Sequence, residues 1–327
     1  MVVKALNTLL TVVAGIGAAL ILYWVVNKLI ELLPQKWELR VKPYFFVFPA
    51  CAAIAAYLVY PAILTIIDSF KNDVSTNFIG FKNYSRLLGS DQFRQTLINT
   101  LLWVVIVPLV SIVLGLGVAV MVDRLKPRAE KTAKTLIFLP MAISAVGAAT
   151  VWRFVYAYNV PGQPQVGLLN AVVTGTGHQP IAWLSIDTLR FNSILLMVMM
   201  LWAQVGFSMV LLSAAVKAVP TETLEAARID GANEPQIFRR VVIPQIWGTI
   251  VTVFVTVTIG VMKIFDIVYV MTNGNFKTNV VGVAFFNELF TNFDNGSASA
   301  IVVLLLLAII PIMIYQVRHF RREEAAR

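Results

Sequence analysis

Few residues in this sequence could do chemistry, and they fall in three places. Residues 217–245 form a polar segment holding Glu225, Ala226, Ala227, Asp230, Gly231 and Ala232, followed by Phe238, Ile243 and Pro244. In the apolar stretch before it, Trp202, Gln204, Phe207 and Ser208 combine flat rings with hydrogen-bonding groups. Sugars need that combination, because their C–H faces stack on aromatics while their hydroxyls require placed polar partners. In the stretch after it, Lys263 and Asp266 are three apart. That spacing puts them on one helix face, either as an ion pair at a subunit interface or as charges lining a pathway.

The usual reactive patterns are missing. No Gly-x-x-x-x-Gly-Lys-Ser/Thr loop cradles nucleotide phosphates, and neither His-Glu-x-x-His nor Gly-x-Ser-x-Gly occurs. The two histidines, His178 and His319, are far apart in the chain, and Cys51 is the lone cysteine, so one chain can build neither a disulfide nor a cysteine-rich metal site. The expectation is a chain without catalytic residues or cofactors of its own.

The elements that must position these groups are apolar helices. With 58% hydrophobic and 13% charged residues and a mean hydropathy of +0.79, the chain has too little polar surface to coat a soluble globule of 327 residues. Lipid is its solvent. Runs long enough to cross about 30 Å of hydrocarbon cover residues 6–30, 44–67, 97–122, 135–157, 191–216, 246–271 and 299–317. This predicts an all-α polytopic membrane protein with seven spans. Pro49, Pro61, Pro108 and Pro140 lie in or at the ends of these runs, where kinks and not breaks are expected.

The +9 net charge is topological in origin, since the basic residues sit in short gaps and form no stripe interleaved with aromatics. Sixteen fall in alternate gaps (Lys36 to Lys42, Arg124 to Lys134, Lys217 to Arg240, Arg318 to Arg327) and seven in the others. The positive-inside rule makes the richer set cytoplasmic, which places the N-terminus outside and the tail inside. The first run is read as an uncleaved helix, its alternative being a signal peptide. The organisation expected is an N-terminal helix and linker over 1–43, a membrane domain over 44–317 carrying a cytoplasmic loop over 217–245, and a tail over 318–327. Arg153, among Trp152, Phe154, Tyr156 and Tyr158, suits an interfacial anchor, and Ser144, Gly147 and Ala148 form a small face suited to helix packing.

Within 217–245 the local signals read helix, sharp turn, helix. Thr221 is placed to cap the first helix, with Glu222 and Glu225 near its positive end. Gly231 supplies a left-handed turn, and Asn233 with Gln236 resembles a capping box, with Pro235 in the first turn of a second helix. Each helix is too short to span lipid and marginal alone in water, so a docking partner is expected.

This segment resembles the signature loop of permeases in binding-protein-dependent ABC importers, whose pattern of Glu-Ala-Ala, Asp-Gly-Ala, an aromatic and an aliphatic-Pro is met at Glu225 to Ala227, Asp230 to Ala232, Phe238 and Ile243–Pro244. The resemblance extends from about Tyr44 to the tail. It is nearest to carbohydrate importers and, through residues 138–144, 151–156, 167–170, 263–266 and 272–274, to α-glucoside permeases. The family's glycine-rich turn with a following proline is replaced here by Asn273 to Phe276, so the outer end of the sixth span is expected to differ.

The resemblance implies a type I importer permease fold, a six-helix core plus an N-terminal helix, in a bacterial inner membrane. It implies a coupling helix that sits in a groove of a separate ATPase, with Ala226 and Ala227 for close packing, Glu225 for a polar contact and Gly231 for the turn. It assigns a pathway role to Gln204 and Phe207, and it implies as partners a second similar permease, two ATPase subunits that bind ATP and Mg, and an extracytoplasmic sugar-binding protein. The competing readings are an ion-coupled secondary transporter, which calls for an inverted repeat and midplane acidic sites, and an assembly factor without transport.

Overall fold

Long runs of Leu, Val, Ile and Ala with no aqueous alternative for their backbone groups must become helices. In the computed structural model, which describes residues 2–32 and 34–325, they do. Among these residues there is no strand beyond one isolated bridge between Lys71 and Phe78, in line with the all-α expectation. Arg327 of the basic tail lies outside the described residues, as do the side chains of Lys36, His319, Arg321 and Arg322.

The chain divides into two units, residues 1–65 and 66–327. The first holds α1 (Val2–Glu31) and α2 (Gln35–Ile54), after which a π-helical turn over Ala55–Val59 leads into α3 (Tyr60–Asp68). Tyr23 of α1 stacks on Phe46 of α2 at 5.6 Å between ring centroids. Leu9, Leu20 and Trp24 are 64–65% exposed, which water would penalise and lipid does not.

The second unit runs through α4 (Lys82–Gly89), α5 (Asp91–Val122), α6 (Pro127–Phe138), α7 (Ala145–Val155), α8 (Leu168–Gly175) and α9 (Phe191–Lys217). It continues with α10 (Thr221–Ile229), α11 (Glu234–Ile237), α12 (Ile243–Gln245), α13 (Trp247–Met262), α14 (Asp266–Thr272), α15 (Val281–Phe286) and α16 (Asn295–Ala325). Its core centres on α5, α9 and α13, where Trp103, Leu196, Leu212, Val253 and Val257 are fully buried. Small residues let the backbones close up. A Cβ on Gly115 of α5 would lie 2.6 Å from the Ser208 Cβ of α9, and the Ser111 and Ser208 hydroxyls share a hydrogen bond of 2.7 Å.

Among the described residues, five helices are long and apolar enough to cross a membrane, or up to seven segments if each of two bent pairs counts as one span. The expected seven is the upper of these counts, and two of the expected spans are not simple rods. Pro108 is accommodated inside α5. At Pro140 the chain does more than kink, because α6 passes through a 3-10 turn over Leu139–Ala142 and α7 departs at 99°. The proline has no N–H to continue the helix, and the Ser144 hydroxyl starts a new one by accepting from Gly147 N–H at 3.2 Å. Ser144 thus caps, while Ala148 and Ala149 supply the buried small face. The second bent pair is Glu234–Gln245 with Trp247–Met262, at 68°, and beyond it the sixth apolar run ends its helix at Met262 and starts another at Asp266.

Candidate functional site

The loop between α9 and α13 is built much as its residues dictate. Helix α10 ends in a left-handed Gly231, φ +80°. The Gly231 N–H donates to Arg228 O at 3.0 Å and the Ala232 N–H to Ala227 O at 3.1 Å, the paired bonds of a Schellman motif. Ala227 and Ala232, the apolar pair that accompanies such a motif, both pack on the buried cluster of Val219, Ile237, Val242 and Ile246. Helix α11 starts with the expected reciprocal box, Gln236 N–H to Asn233 Oδ1 at 3.0 Å and Asn233 N–H to Gln236 Oε1 at 2.9 Å. One expectation is corrected: Thr221 is the first helical residue and makes no cap bond, and Pro220 occupies the cap position instead. Proline fixes the φ the entry needs, so no side-chain oxygen is required there.

Two features escaped the sequence reading. Arg228 and Glu234 close across the turn, Nε to Oε1 at 2.8 Å, clamping α10 to α11. Ile229 is 85% exposed, three residues on from Ala226 and four from Glu225, so one face of α10 presents Glu225, Ala226 and a bare isoleucine outward. An apolar residue at that spacing was the available signal. Asp230 and Pro244 are also exposed. Beneath the loop, Lys134 of α6 lies 2.7 Å from both Asp123 and Glu130, the Ser213 hydroxyl donates to Asp123 at 2.8 Å, and Lys217 also bonds to Glu130. The ends of α5, α6 and α9 are thereby tied together where α10 departs. The loop is a rigid outrigger: its inner face is anchored in the bundle and its outer face is bare.

The groups proposed for substrate contact are only partly brought together. Gln204 and Phe207 of α9 are three apart and share a face. Gln204 is half-buried, its side chain without a hydrogen-bond partner among the described residues, and Phe207 packs on the main core. Trp202 precedes Gln204 by two positions, about 200° around the helix, and sits edge-on to Trp152 of α7 at 5.9 Å. It therefore does not join Gln204. Ser208 is committed to Ser111. Arg153 is exposed beside a hollow it shares with Tyr156, Tyr158 and Trp183, a setting that suits an anchor.

Lys263 and Asp266 do not share a helix face, and no ion pair joins them among the described residues. The reason is the break: Lys263 (φ −97°, ψ 14°) and Phe265 (φ −138°, ψ −61°) leave helical geometry. Gly282 of α15 presses on this break, and a Cβ there would lie 2.5 Å from Ile264 O. Both charged side chains are exposed. Lys263→Met and Asp266→Asn should therefore be additive to within about 0.5 kcal/mol in the thermal stability of the purified complex. A coupling above about 1 kcal/mol in the double-mutant cycle would show a direct pair.

At the far end of the bundle, buried amides hold the irregular segment after α14. Asn99 Nδ2 donates to Asn279 O at 2.9 Å and also to Lys277 O, and Asn192 Nδ2 donates to Phe276 O at 2.8 Å. The segment begins where α14 ends in left-handed Asn273, so the residues that replace the family's glycine-rich turn do make a turn. Lys277 lies 2.6 Å from Asp187 and holds that carboxyl below the usual carboxylate range. Asn170, fully buried, spends its amide on Ala157 O, Ile181 O and Ile181 N–H, at 2.8–2.9 Å, and on the Trp183 ring. Among the described residues no three His, Cys, Asp or Glu side chains could hold a metal.

The chain as a whole is similar to known proteins. A family model described as the binding-protein-dependent transport system inner membrane component matches residues 111–324. The alpha-glucoside transport system permease protein AglF of Rhizobium meliloti (strain 1021) is 41% identical over 334 residues, covering 98% of each chain. The osmoprotective compounds uptake permease protein GgtC of Synechocystis is 46% identical over 282 residues, covering 86% of this chain and all of that one. Among solved structures, a chain of a bacterial ABC transporter involved in the import of the polysaccharide alginate superposes with a TM-score of 0.75 at 20% identity, covering 88% of this chain and 99% of that one.

Proposed function

The chain belongs to the family of inner-membrane components of binding-protein-dependent transport systems, and from that premise we propose that it is the permease of a sugar importer, with α-glucosides as the substrate class. The observation that carries this reading is the likeness to AglF along nearly the whole of both chains. The outward face of α10 supports a separate ATPase as its partner, since an exposed isoleucine flanked by alanine and glutamate on a rigidly anchored helix is suited to a groove in another protein.

In this reading α10 and α11 face the cytoplasm, ATP and Mg are bound by two copies of that ATPase, a second similar permease completes the pathway, and an extracytoplasmic binding protein delivers the sugar. In the same reading the N-terminus is outside and the tail cytoplasmic, which the distribution of basic residues supports. Gln204 supplies a hydrogen-bonding group and Phe207 a ring face to the passing sugar.

The test is uptake of trehalose, maltose and other α-glucosides by membranes containing the whole complex. Uptake should need both the ATPase and the binding protein. Uptake that survives removal of the ATPase but collapses with a proton or sodium ionophore would overturn the reading in favour of a secondary transporter. Gln204→Ala and Phe207→Ala should each lower uptake at limiting sugar by roughly tenfold, as expected for one lost contact of about 1.4 kcal/mol, with normal co-purification of partners. Equal loss of assembly would assign both residues to packing.

A further inference from the structure

The α5 N-terminus, the segment after α14 and the turn that follows α15 line a half-open cavity of about 400 Å³, separate from Gln204, Phe207 and the α13–α14 break. We infer that this cavity is a binding pocket for a neutral sugar or polyol, on the face that the proposed orientation makes extracytoplasmic. Its volume falls in the range of about 300–1,000 Å³ typical of small-molecule sites.

The chemistry of the lining selects the ligand. Phe93 and Leu87, both buried, give an apolar floor. Gln92, Asn275 and Asn287 project amides with no side-chain partner among the described residues, and Asn287 is half-buried. Glu288 accepts from Asn292 Nδ2 at 3.0 Å and can still accept more. Amides that donate and accept, one carboxylate and an apolar floor match a ring with hydroxyls on its edge and C–H groups on its face. The carboxylate disfavours an anion.

Two further observations show that these walls are built. The first wall begins at left-handed Asn273, and just beyond it Phe276 and Lys277 are also left-handed, a strained conformation for residues of those types. It is held by Asn99, by the Thr272–Thr278 hydroxyl pair at 2.6 Å, and by Val281 N–H donating to Thr100 Oγ1 at 3.0 Å. The opposite wall is a π-helical turn, Asn287–Thr291, a form that is rare and concentrated at functional sites. It places Asn287 and Glu288 on the cavity.

The test uses the complete transporter in nanodiscs without the binding protein, with trehalose and methyl α-glucoside as probes in saturation-transfer NMR. Wild type should bind at least one probe. Asn287→Leu should weaken binding by about tenfold or more and the milder Glu288→Gln by a few-fold, as expected when a ligand hydroxyl loses its partner. Val113→Ala, on the exposed side of α5 and away from the cavity, should leave this binding unchanged. Absence of binding to wild type, binding unaltered in both pocket variants, or binding lost to the same extent in Val113→Ala would each overturn the proposal. Because uptake is measured separately, a complex that imports the sugar with unaltered binding in the pocket variants sinks the pocket alone. A complex that binds here but imports no sugar sinks the cargo assignment alone.

Discussion

Gly231→Val should abolish sugar uptake while leaving the permease in the membrane at normal amount. The backbone at Gly231 is left-handed, φ +80°, and nothing lies within 4 Å of where a Cβ would be. The cost is therefore conformational and not a collision, about 1–2 kcal/mol for an ordinary residue and more for a β-branched one. Asparagine tolerates this region better than alanine, and alanine better than valine, so activity should fall in the order Gly, Asn, Ala, Val. A collision would instead rank the variants by size. The Asn233–Gln236 box holds the α11 side of the turn, so the relaxation open to the variant is a swing of α10 that strains the exposed Arg228–Glu234 pair. That moves Glu225, Ala226 and Ile229 off their proposed groove while the spans stay folded. Glu225→Lys and Ile229→Asp keep the turn and change the docking face, so they should lose the ATPase itself. The measurement is ATPase co-purification and sugar uptake at matched permease content. Normal uptake in Gly231→Val and Glu225→Lys would falsify the coupling role.

Much of this loop was legible because its signals are local. Gly231 as the left-handed residue, the Asn233–Gln236 box and the two short helices follow from residue types at fixed offsets, and the structure reproduces them. The long apolar helices were legible for the same reason, since about twenty apolar residues in a row have few alternatives. What escaped was set by neighbours distant in sequence. Hydrophobicity runs without interruption from residue 246 to 271, apart from Lys263 and Asp266, and does not report that Gly282 lets α15 press its backbone against Ile264 and part the helix there. The face assigned to Lys263 and Asp266 failed with that helix. Residues 272–298 fall between two of the expected spans, yet Val281, Val283 and Ala284 are buried in α15. Seven apolar residues from Val280 to Phe286 are too few to register as a span, and only their packing on α5 and α16 reveals them. Trp202 and Gln204 were grouped by composition when the helical period already set them about 200° apart.

The bundle's close approaches lead to the second large effect. Substituting either close-packed glycine should destabilise the complex, but only one should be rescued by a partner change. At Gly206 an added Cβ would lie 2.4 Å from Ile137 O and 2.8 Å from Phe138 Cα. Both are backbone atoms at the end of α6, just before the chain bends toward α7, and neither can rotate away. Gly206→Leu should cost at least the ~1–3 kcal/mol typical of overpacking, displace the bend, and lower both the assembled amount and the melting temperature of the solubilised complex. At Gly115 the nearest obstacle is the Ser208 Cβ at 2.6 Å, with Met209 N at 3.0 Å behind it. Gly115→Ala should be destabilising alone and partly restored by Ser208→Gly, which removes that Cβ at the expense of the Ser111–Ser208 hydrogen bond, worth about 0.5–1.5 kcal/mol. No side-chain truncation on α6 should restore Gly206→Ala, because the oxygen it meets belongs to the peptide group. Equal rescue of both variants by neighbouring truncations would mean that α9 meets α6 through side chains, and the close backbone contact seen at Gly206 would then not be what sets the bend.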